Sequence, residues 1–303
     1  MVDYHVRPAI ESTMTPPAAP NTKSASARTL RSALVALVAE FLILALPLNF
    51  IYGLVAHNAY RMSLGAGLMF ALVAVVFACS GYAVYAWYVA RREPSELVLR
   101  RLVDLPRGWL LGAALICIVV ATIAVAGDLK LSAGGWPALA GLPAIPLLAG
   151  VFEELIARGV VFRNLENLLG SEIAIALSAA MFGWLHIGNP NATALSATAV
   201  GLEGGVMLAA LYVVTRSLWW PIGVHMAWNF TQTSVFGIAD SGNPGRGLLR
   251  AELDGPVWLT GGAFGVEASV IAVVVCAALS AGLLLRAYRS RRMVAPLWEL
   301  RRR

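Results

Sequence analysis

The sequence predicts an all-α membrane protein, a polytopic bundle of about eight transmembrane helices around an intramembrane polar cavity. Of its 303 residues, 59% are hydrophobic and only 13% are charged. The mean hydropathy of +0.73 is far above that of soluble globular domains. Several stretches reach the roughly 20 apolar residues that cross a bilayer, and ionisable residues fall inside a few of them.

The predicted elements follow these apolar stretches in order. Residues 1–30 are rich in Pro, Ser, Thr and Ala without apolar periodicity, so we expect a disordered tail. The first apolar run is too long for a cleavable signal peptide and should remain in the protein. Residues 31–290 should form the bundle, and residues 291–303 a basic tail. The expected helices lie near residues 32–57, 63–90, 108–127, 140–163, 172–188, 195–215, 218–237 and 263–286.

Lys and Arg residues are distributed unequally between the two sides of this bundle. An even number of spans puts both termini on one side, which then holds 18 Lys and Arg residues against four on the other. Because cytoplasmic flanks are enriched in these residues, we expect both termini in the cytoplasm. Basic flanks facing anionic lipid also explain the net charge of +6 without a nucleic-acid partner. The expected location is a plasma membrane, and the Ala-, Leu-, Val-, Gly- and Arg-rich usage favours a bacterial one.

The fourth predicted helix contains three charged residues in the stretch GVFEELIARGVVF. Each ionisable residue at the centre of a membrane helix costs about 2.5–3.5 kcal/mol on insertion scales. Glu154 and Arg158 are four residues apart, so they share a helix face and are expected to pair. Glu153 points about 100° away from Glu154, which leaves it free for another task.

Two further predicted helices carry a histidine one turn from a possible partner. The stretch MFGWLHIG contains Phe182 and His186, and the stretch GVHMAWNF contains His225 and Asn229. Each of these residues alone is as easily explained by packing or by a hydrogen bond between helices. Together with Glu153 they would line one polar cavity in an otherwise apolar bundle, which favours a functional site.

In sequence, these three motifs resemble the CAAX protease and bacteriocin-processing (CPBP, or Abi) family of intramembrane endopeptidases, which includes the type II CAAX prenyl endopeptidases. The family pattern is EExxxR, FxxxH and HxxxN on separate helices, and this chain reads EELIAR, FGWLH and HMAWN in that order. The resemblance covers about residues 140–237, the expected catalytic core, and fits an eight-helix bundle. It implies a peptidase whose site residues are Glu153, Glu154, Arg158, His186, His225 and Asn229.

Peptide hydrolysis needs an activated water, a stabilised oxyanion and a proton donor for the leaving amine. Glu153 is expected to be the general base, as the resemblance also implies. His186 would share the water or relay its proton. His225 and Asn229, on one helix face, would donate hydrogen bonds to the oxyanion, and Glu154 with its arginine partner would support Glu153.

The need for a metal is left open by the residues. Two histidines and a glutamate form many catalytic zinc sites, so Glu153, His186 and His225 are candidate ligands. The family is often labelled metalloprotease, yet the HExxH spacing is absent, and the resemblance favours a glutamate-dependent reaction without metal. No other cofactor is expected. The expected partners are the lipid bilayer and a membrane-bound or lipid-anchored peptide, whether a prenylated C-terminus, a bacteriocin leader or another substrate.

Two other function classes compete with the peptidase. Charges inside a membrane also mark the paths of transporters, although no inverted repeat relates the two halves of this chain. A non-catalytic immunity or scaffold protein could use the same fold. The roles of Glu40 and Glu203 stay open, since Glu203 could pair with Arg158, line the substrate route or bond to a neighbouring helix.

The depth of the site follows from the expected helix ends. With Arg163 as the cytoplasmic end of the fourth helix, Glu153 and His225 are expected nearer the cytoplasmic ends of their helices. The cavity should then open to the cytoplasm or into the inner half of the bilayer.

Overall fold

A computed structural model of the chain describes residues 30–136 and 139–300, so the predicted tail lies almost wholly outside the described residues. The long helices of the first half are Leu30–Asn58 (α1), Leu64–Tyr88 (α2) and Asp104–Val125 (α3). The second half contains Ala144–Glu154 (α4), Arg163–Leu185 (α5), Ala194–Val200 (α6), Leu208–Thr215 (α7), Trp219–Phe230 (α8), Val257–Thr260 (α9), Val270–Arg289 (α10) and Leu297–Leu300 (α11).

The predicted all-α membrane bundle is confirmed. Each of the eight predicted helices has a helical counterpart among the described residues. By length and composition, six helical stretches of this part of the chain are apolar enough to cross a membrane. One of the six, Ala144–Gly188, contains two predicted helices, because the chain turns at Gly170 with φ of 80° and ψ of 167°. Glycine adopts this positive φ without the steric cost that a side chain would add.

Three π-helical segments occur in the second half of the chain, and the sequence did not predict them. Leu155–Phe162 joins α4 to α5, Gly201–Met207 joins α6 to α7, and Thr231–Val235 extends α8. A π-helical turn shifts the side chains that follow it and leaves some carbonyl groups without their usual helical partners. Such segments are frequent at functional sites.

Two regions that were expected to be linkers form a two-stranded antiparallel sheet. We call this sheet the hairpin, although its two strands are far apart in the chain. Leu129–Ala133 (β1) pairs antiparallel with Leu249–Leu253 (β2), with Leu129 opposite Leu253. The last long helix also begins at Val270 rather than near residue 263, because positive φ values at Gly261, Gly262 and Gly265 keep the preceding chain out of a helix.

Backbone hydrogen bonds between the segments that connect the helices define two opposite ends of the bundle. At the basic end, Leu218 N–H donates to the Glu96 carbonyl and Ser171 N–H donates to the Val294 carbonyl. The hairpin end holds β1 and β2, and Gly141 N–H there donates to the Ala59 carbonyl. The basic end comprises residues 89–103, 163–171, 215–218 and 290–296, and the hairpin end comprises residues 59–63, 126–136, 139–143, 186–193 and 236–269.

The estimate of the depth of Glu153 was wrong. The fourth helix does not end at Arg163 but continues helically to Leu169, just before the turn at Gly170. At 1.5 Å per residue, Glu153 is about 14 Å from Ala144 at the hairpin end and about 24 Å from Leu169 at the basic end. His186 directly follows α5 and therefore also lies at the hairpin end.

Candidate functional site

A close approach of α4 to α8 brings two of the motifs together. A Cβ atom on Gly150 would lie 2.6 Å from the backbone nitrogen of Met226, so only glycine permits this packing. Glu153 and Glu154 end α4 one turn beyond this contact, and His225 precedes Met226 on α8. The contact therefore sets both carboxylates beside the imidazole of His225.

Glu154 joins two motifs through one carboxylate. Its Oε1 accepts a hydrogen bond from Arg158 Nη1 at 2.7 Å and lies 2.9 Å from His225 Nδ1. The side chains of Glu154 and Arg158 are 0% and 2% exposed, so the pair is fully buried. The expected pair is present, and the additional bond to His225 was not foreseen from the sequence.

Arg158 completes its hydrogen bonding on a neighbouring helix rather than on a second carboxylate. Its Nη2 donates to the Gly204 carbonyl, and to the Gly205 carbonyl at 3.0 Å. Both carbonyls belong to the π-helical segment Gly201–Met207. The guanidinium also lies 4.9 Å from the ring centre of Phe182. The suggested pairing of Arg158 with Glu203 does not occur.

Glu153 is the accessible carboxylate of the two, as expected from its position on the helix. Its side chain is 38% exposed, and Oε2 lies 4.0 Å from His225 Nε2. This distance is too long for a direct hydrogen bond but short enough for one water to contact both groups. The two nitrogens of His225 thus face different carboxylates, Nδ1 towards Glu154 and Nε2 towards Glu153.

His186 is held by its own helix. Its Nδ1 lies 2.7 Å from the Phe182 carbonyl oxygen, and the two rings are 4.9 Å apart. Because a carbonyl oxygen only accepts hydrogen bonds, Nδ1 carries the proton, and Nε2 is an acceptor in the neutral ring. The FxxxH motif therefore fixes the tautomer of its histidine.

Residues of the FxxxH and HxxxN motifs line one cavity of about 50 Å³ at the hairpin half of the bundle, and the EExxxR motif adjoins it through the contacts of His225. Phe182, His186, His225 and Asn229 contribute to its wall, with Asn229 almost fully buried. The cavity wall also contains three acidic residues, of which the sequence had suggested only Glu203, as one possible lining of the substrate route. They are Glu203 on the π-helical segment, and Asp240 and Glu267 in the connections on either side of β2 and α9.

Nothing in the sequence placed Asp240 or Glu267 in the site, because Asp240 lies in a glycine-rich stretch typical of a turn and Glu267 falls within the predicted helix 263–286. Burial raises the pKa of Asp240 to about 7, with His225 opposing the increase and Glu153 adding to it. Burial and the charge of Asp240 raise the pKa of Glu267 to about 8. The only sequence signal was the presence of a carboxylate next to apolar residues such as Ile238, which is weak.

The remaining unassigned carboxylate, Glu40, lies outside the cavity. Its Oε2 accepts hydrogen bonds from Tyr85 Oη at 2.8 Å and from Asn164 Nδ2 at 2.7 Å. Glu40 therefore joins α1, α2 and α5 and has a structural role.

The candidate zinc ligands do not form a metal site as they are positioned. Among residues 30–136 and 139–300, no group of three His, Cys, Asp or Glu side chains is placed to hold a metal ion. Glu153 and His225 are near each other, whereas His186 Nδ1 is engaged by a backbone carbonyl.

Comparison with known proteins identifies one matching family model. Residues 135–231 match the family model described as Type II CAAX prenyl endopeptidase Rce1-like, and the matched segment includes all three motifs. No curated protein and no solved structure matches the chain. The family implies a membrane-embedded peptidase. The resemblance drawn from the three motifs is thereby confirmed, because the matched segment of this chain is similar to the type II CAAX prenyl endopeptidase Rce1-like family.

Proposed function

We propose that the protein is an intramembrane endopeptidase that hydrolyses a peptide bond of a membrane-associated protein or peptide. The observation that carries this proposal is the position of His225 between two glutamates in a buried cavity. One of these glutamates is accessible, and the other is buried and paired. A purely structural network needs no accessible carboxylate beside the imidazole.

Glu153 acts as the general base in this proposal. Its exposed carboxylate and His225 Nε2 are close enough to hold one water between them. Glu153 takes a proton from the water as it attacks the peptide carbonyl, and later returns the proton to the leaving amine. Glutamate is itself the base, so the proposal includes no step at a metal.

His225 and Asn229 stabilise the oxyanion. In its protonated form, His225 donates Nδ1–H to Glu154, which fixes the ring orientation, and donates Nε2–H towards the reacting carbonyl. Asn229, one turn along α8, presents an amide donor to the same cavity. Arg158 balances the charge of Glu154 and so keeps this support in place.

His186 shares the water or relays its proton. The bond from Nδ1 to the Phe182 carbonyl leaves Nε2 as an acceptor in the neutral ring. This is the state that a proton relay requires, and it differs from the donor role of His225.

The test is the loss of cleavage on removing the base. Glu153→Ala is expected to reduce the rate at least about 100-fold, the usual contribution of general base catalysis. Substrates are found by comparing new peptide termini in membranes that contain the wild type or this variant. Glu252→Ala, an exposed carboxylate on β2, is the matched control and should retain the wild-type rate. Comparable proteolysis by wild type and Glu153→Ala would reject the mechanism, and a transport or scaffold role would then gain support.

The side of the membrane from which substrate enters is tested by thiol labelling. The cavity lies at the hairpin end, so with cytoplasmic termini we expect substrate to enter from the outer side. Exposed positions Ser290 and Asn191 mark the basic and hairpin ends. In a version lacking Cys79, Cys117 and Cys276, a cysteine replacing Ser290 should react with impermeant reagents only from the cytoplasm, and one replacing Asn191 only from outside. The reverse pattern would place the cavity on the cytoplasmic side.

A further inference from the structure

Part of the cavity wall, formed by Glu203, Asp240 and Glu267, is acidic and has unused hydrogen-bond acceptors. Glu203 is 4% exposed, and its Oε1 accepts no hydrogen bond from any described residue. The Asp240 carboxylate likewise receives no hydrogen bond and no ion pair within the described part of the chain. A buried carboxylate oxygen normally has a partner, so the open Oε1 of Glu203, at the same cavity as the half-buried Asp240, indicates a missing donor.

The carboxylate of Glu267, unlike that of Glu203, already accepts hydrogen bonds and stabilises this wall. It accepts hydrogen bonds from the Gln232 side chain and from Ser241 N–H. These bonds fix the connection that carries Asp240 against the end of α8. The segment that carries Asp240 is therefore held in place before any ligand arrives.

The positive charges nearby are already engaged. Arg158 is bonded to Glu154 and to two backbone carbonyls. Arg246 lies over the ring of Tyr60 in an adjoining cavity of about 260 Å³ that Asp240 also lines. It forms no ion pair with the described acidic residues. The raised pKa values of Asp240 and Glu267 reflect burial without enough positive charge, a deficit that a bound cation would correct.

We infer that the acidic wall formed by Glu203 and Asp240 binds a lysine side chain of the substrate peptide close to the bond that is cleaved. This inference rests on the proposed peptidase function and specifies its substrate. A lysine ammonium has three hydrogen-bond donors and no acceptor, which matches a set of open carboxylate oxygens. A cavity of about 50 Å³ suits this compact group better than the larger planar guanidinium of arginine.

The adjoining cavity supplies a route to this wall. It is lined by residues of α1, α4 and the connection after α8, and it shares Asp240 with the site cavity. A peptide that extends through it would pass Asp240, which lines both cavities. Asp240 is therefore placed to select the side chain that arrives next to the base.

The inference is tested by binding, separately from cleavage. The full-length Glu153→Gln protein in lipid nanodiscs is incubated with a pool of lipid-anchored peptides in which one position is lysine, arginine, norleucine or glutamate. Retained peptides are identified by mass spectrometry. Lysine peptides are expected to be retained at least about tenfold more than norleucine peptides, since one charge-assisted contact of this kind corresponds to about tenfold in affinity.

Variants at the wall locate the preference. Adding Asp240→Asn or Glu203→Gln should reduce the lysine preference to less than about threefold. Asp254→Asn, a matched change at an exposed carboxylate on the hairpin side, should keep it. Equal retention of lysine and norleucine peptides, or a lysine preference unaffected by both wall variants, would overturn the inference. The first comparison needs no substitution in the wall, so it holds even if those variants fold poorly.

Cleavage by the wild type is measured on the same pool. If cleavage depends on Glu153 but lysine and norleucine peptides bind equally, only the acidic subsite is rejected. Preferential lysine binding without any cleavage that depends on Glu153 supports the subsite and rejects the proposed peptidase function.

Discussion

The stretch Ala194–Thr215 and the helix Leu64–Tyr88 (α2) are both apolar enough to cross a membrane, yet they occupy opposite positions in the bundle. In the first, 72% of the apolar stretch is buried within the protein, against 22% in α2. The more buried stretch contains a carboxylate, whereas α2 has no charged residue, and each of the two contains three glycines.

This difference shows that apolarity does not decide which membrane helix is buried at the centre of the bundle. Lipid is as apolar as leucine, so large apolar residues such as Phe70 and Phe77 of α2 remain at the surface. Close helix contact depends instead on small residues and on polar partners. Gly205 packs against the backbone of Ala179, and its carbonyl receives the buried Arg158.

The largest expected effect comes from breaking the buried pair of Glu154 and Arg158, which contacts the stretch Ala194–Thr215. Arg158→Ala leaves Glu154 charged and buried, and loss of one member of such a pair costs about 3–5 kcal/mol. The variant should unfold at a clearly lower temperature and lose peptidase activity, measured by thermal denaturation in detergent and by cleavage. An unchanged melting temperature would show that the pair does not hold the centre together.

A smaller effect is expected from adding one methyl group to a glycine in each region. A Cβ on Gly205 would lie 2.7 Å from the Ala179 Cα, whereas nothing lies within 4 Å of a Cβ on Gly81 of α2. Gly205→Ala should therefore destabilise the protein by about 1–3 kcal/mol, the range for overpacking. Gly81→Ala should be neutral or slightly stabilising, because alanine favours helix. Similar melting temperatures for the two variants would remove the distinction between centre and periphery.

The smallest effect is expected at the exposed ion pair of the hairpin. Lys130 Nζ lies 3.0 Å from Asp254 Oδ2, with both side chains more than 60% exposed. Exposed pairs contribute about 0–1 kcal/mol and weaken with salt. A double-mutant cycle with Lys130→Met and Asp254→Asn should give a coupling within that range. A coupling as large as that of Arg158 with Glu154 would mean that burial is not what separates the two pairs.

Much of the fold and of the motif cluster was predictable because the signals are local. Apolar length fixes the helices, and four-residue spacing fixes the bond between Glu154 and Arg158. The π-helical segments were not predictable, since their carbonyls are satisfied by tertiary partners such as Arg158. The length of the fourth helix was not predicted correctly either. Arg163 is typical of a helix end at the membrane surface, but the chain turns only at Gly170.

The acidic wall could not be inferred for a different reason. Asp240 and Glu267 are separated from the motifs by connections whose course depends on close packing of glycine backbones. Gly265 packs beside the Ala239 carbonyl, a contact that no pattern of spacing predicts. Residues in such connections become neighbours only when the whole hairpin end is assembled.

The turn at Gly170 has a consequence for the order of assembly. Ser171 exchanges hydrogen bonds with Val294, 123 residues further along the chain, and Pro296 packs against Gly170. During synthesis, the helices that carry EExxxR and FxxxH are therefore made long before the segment that secures the corner between them. The ribosome must deliver α10 and the residues after it before these two motifs are locked at their final angle.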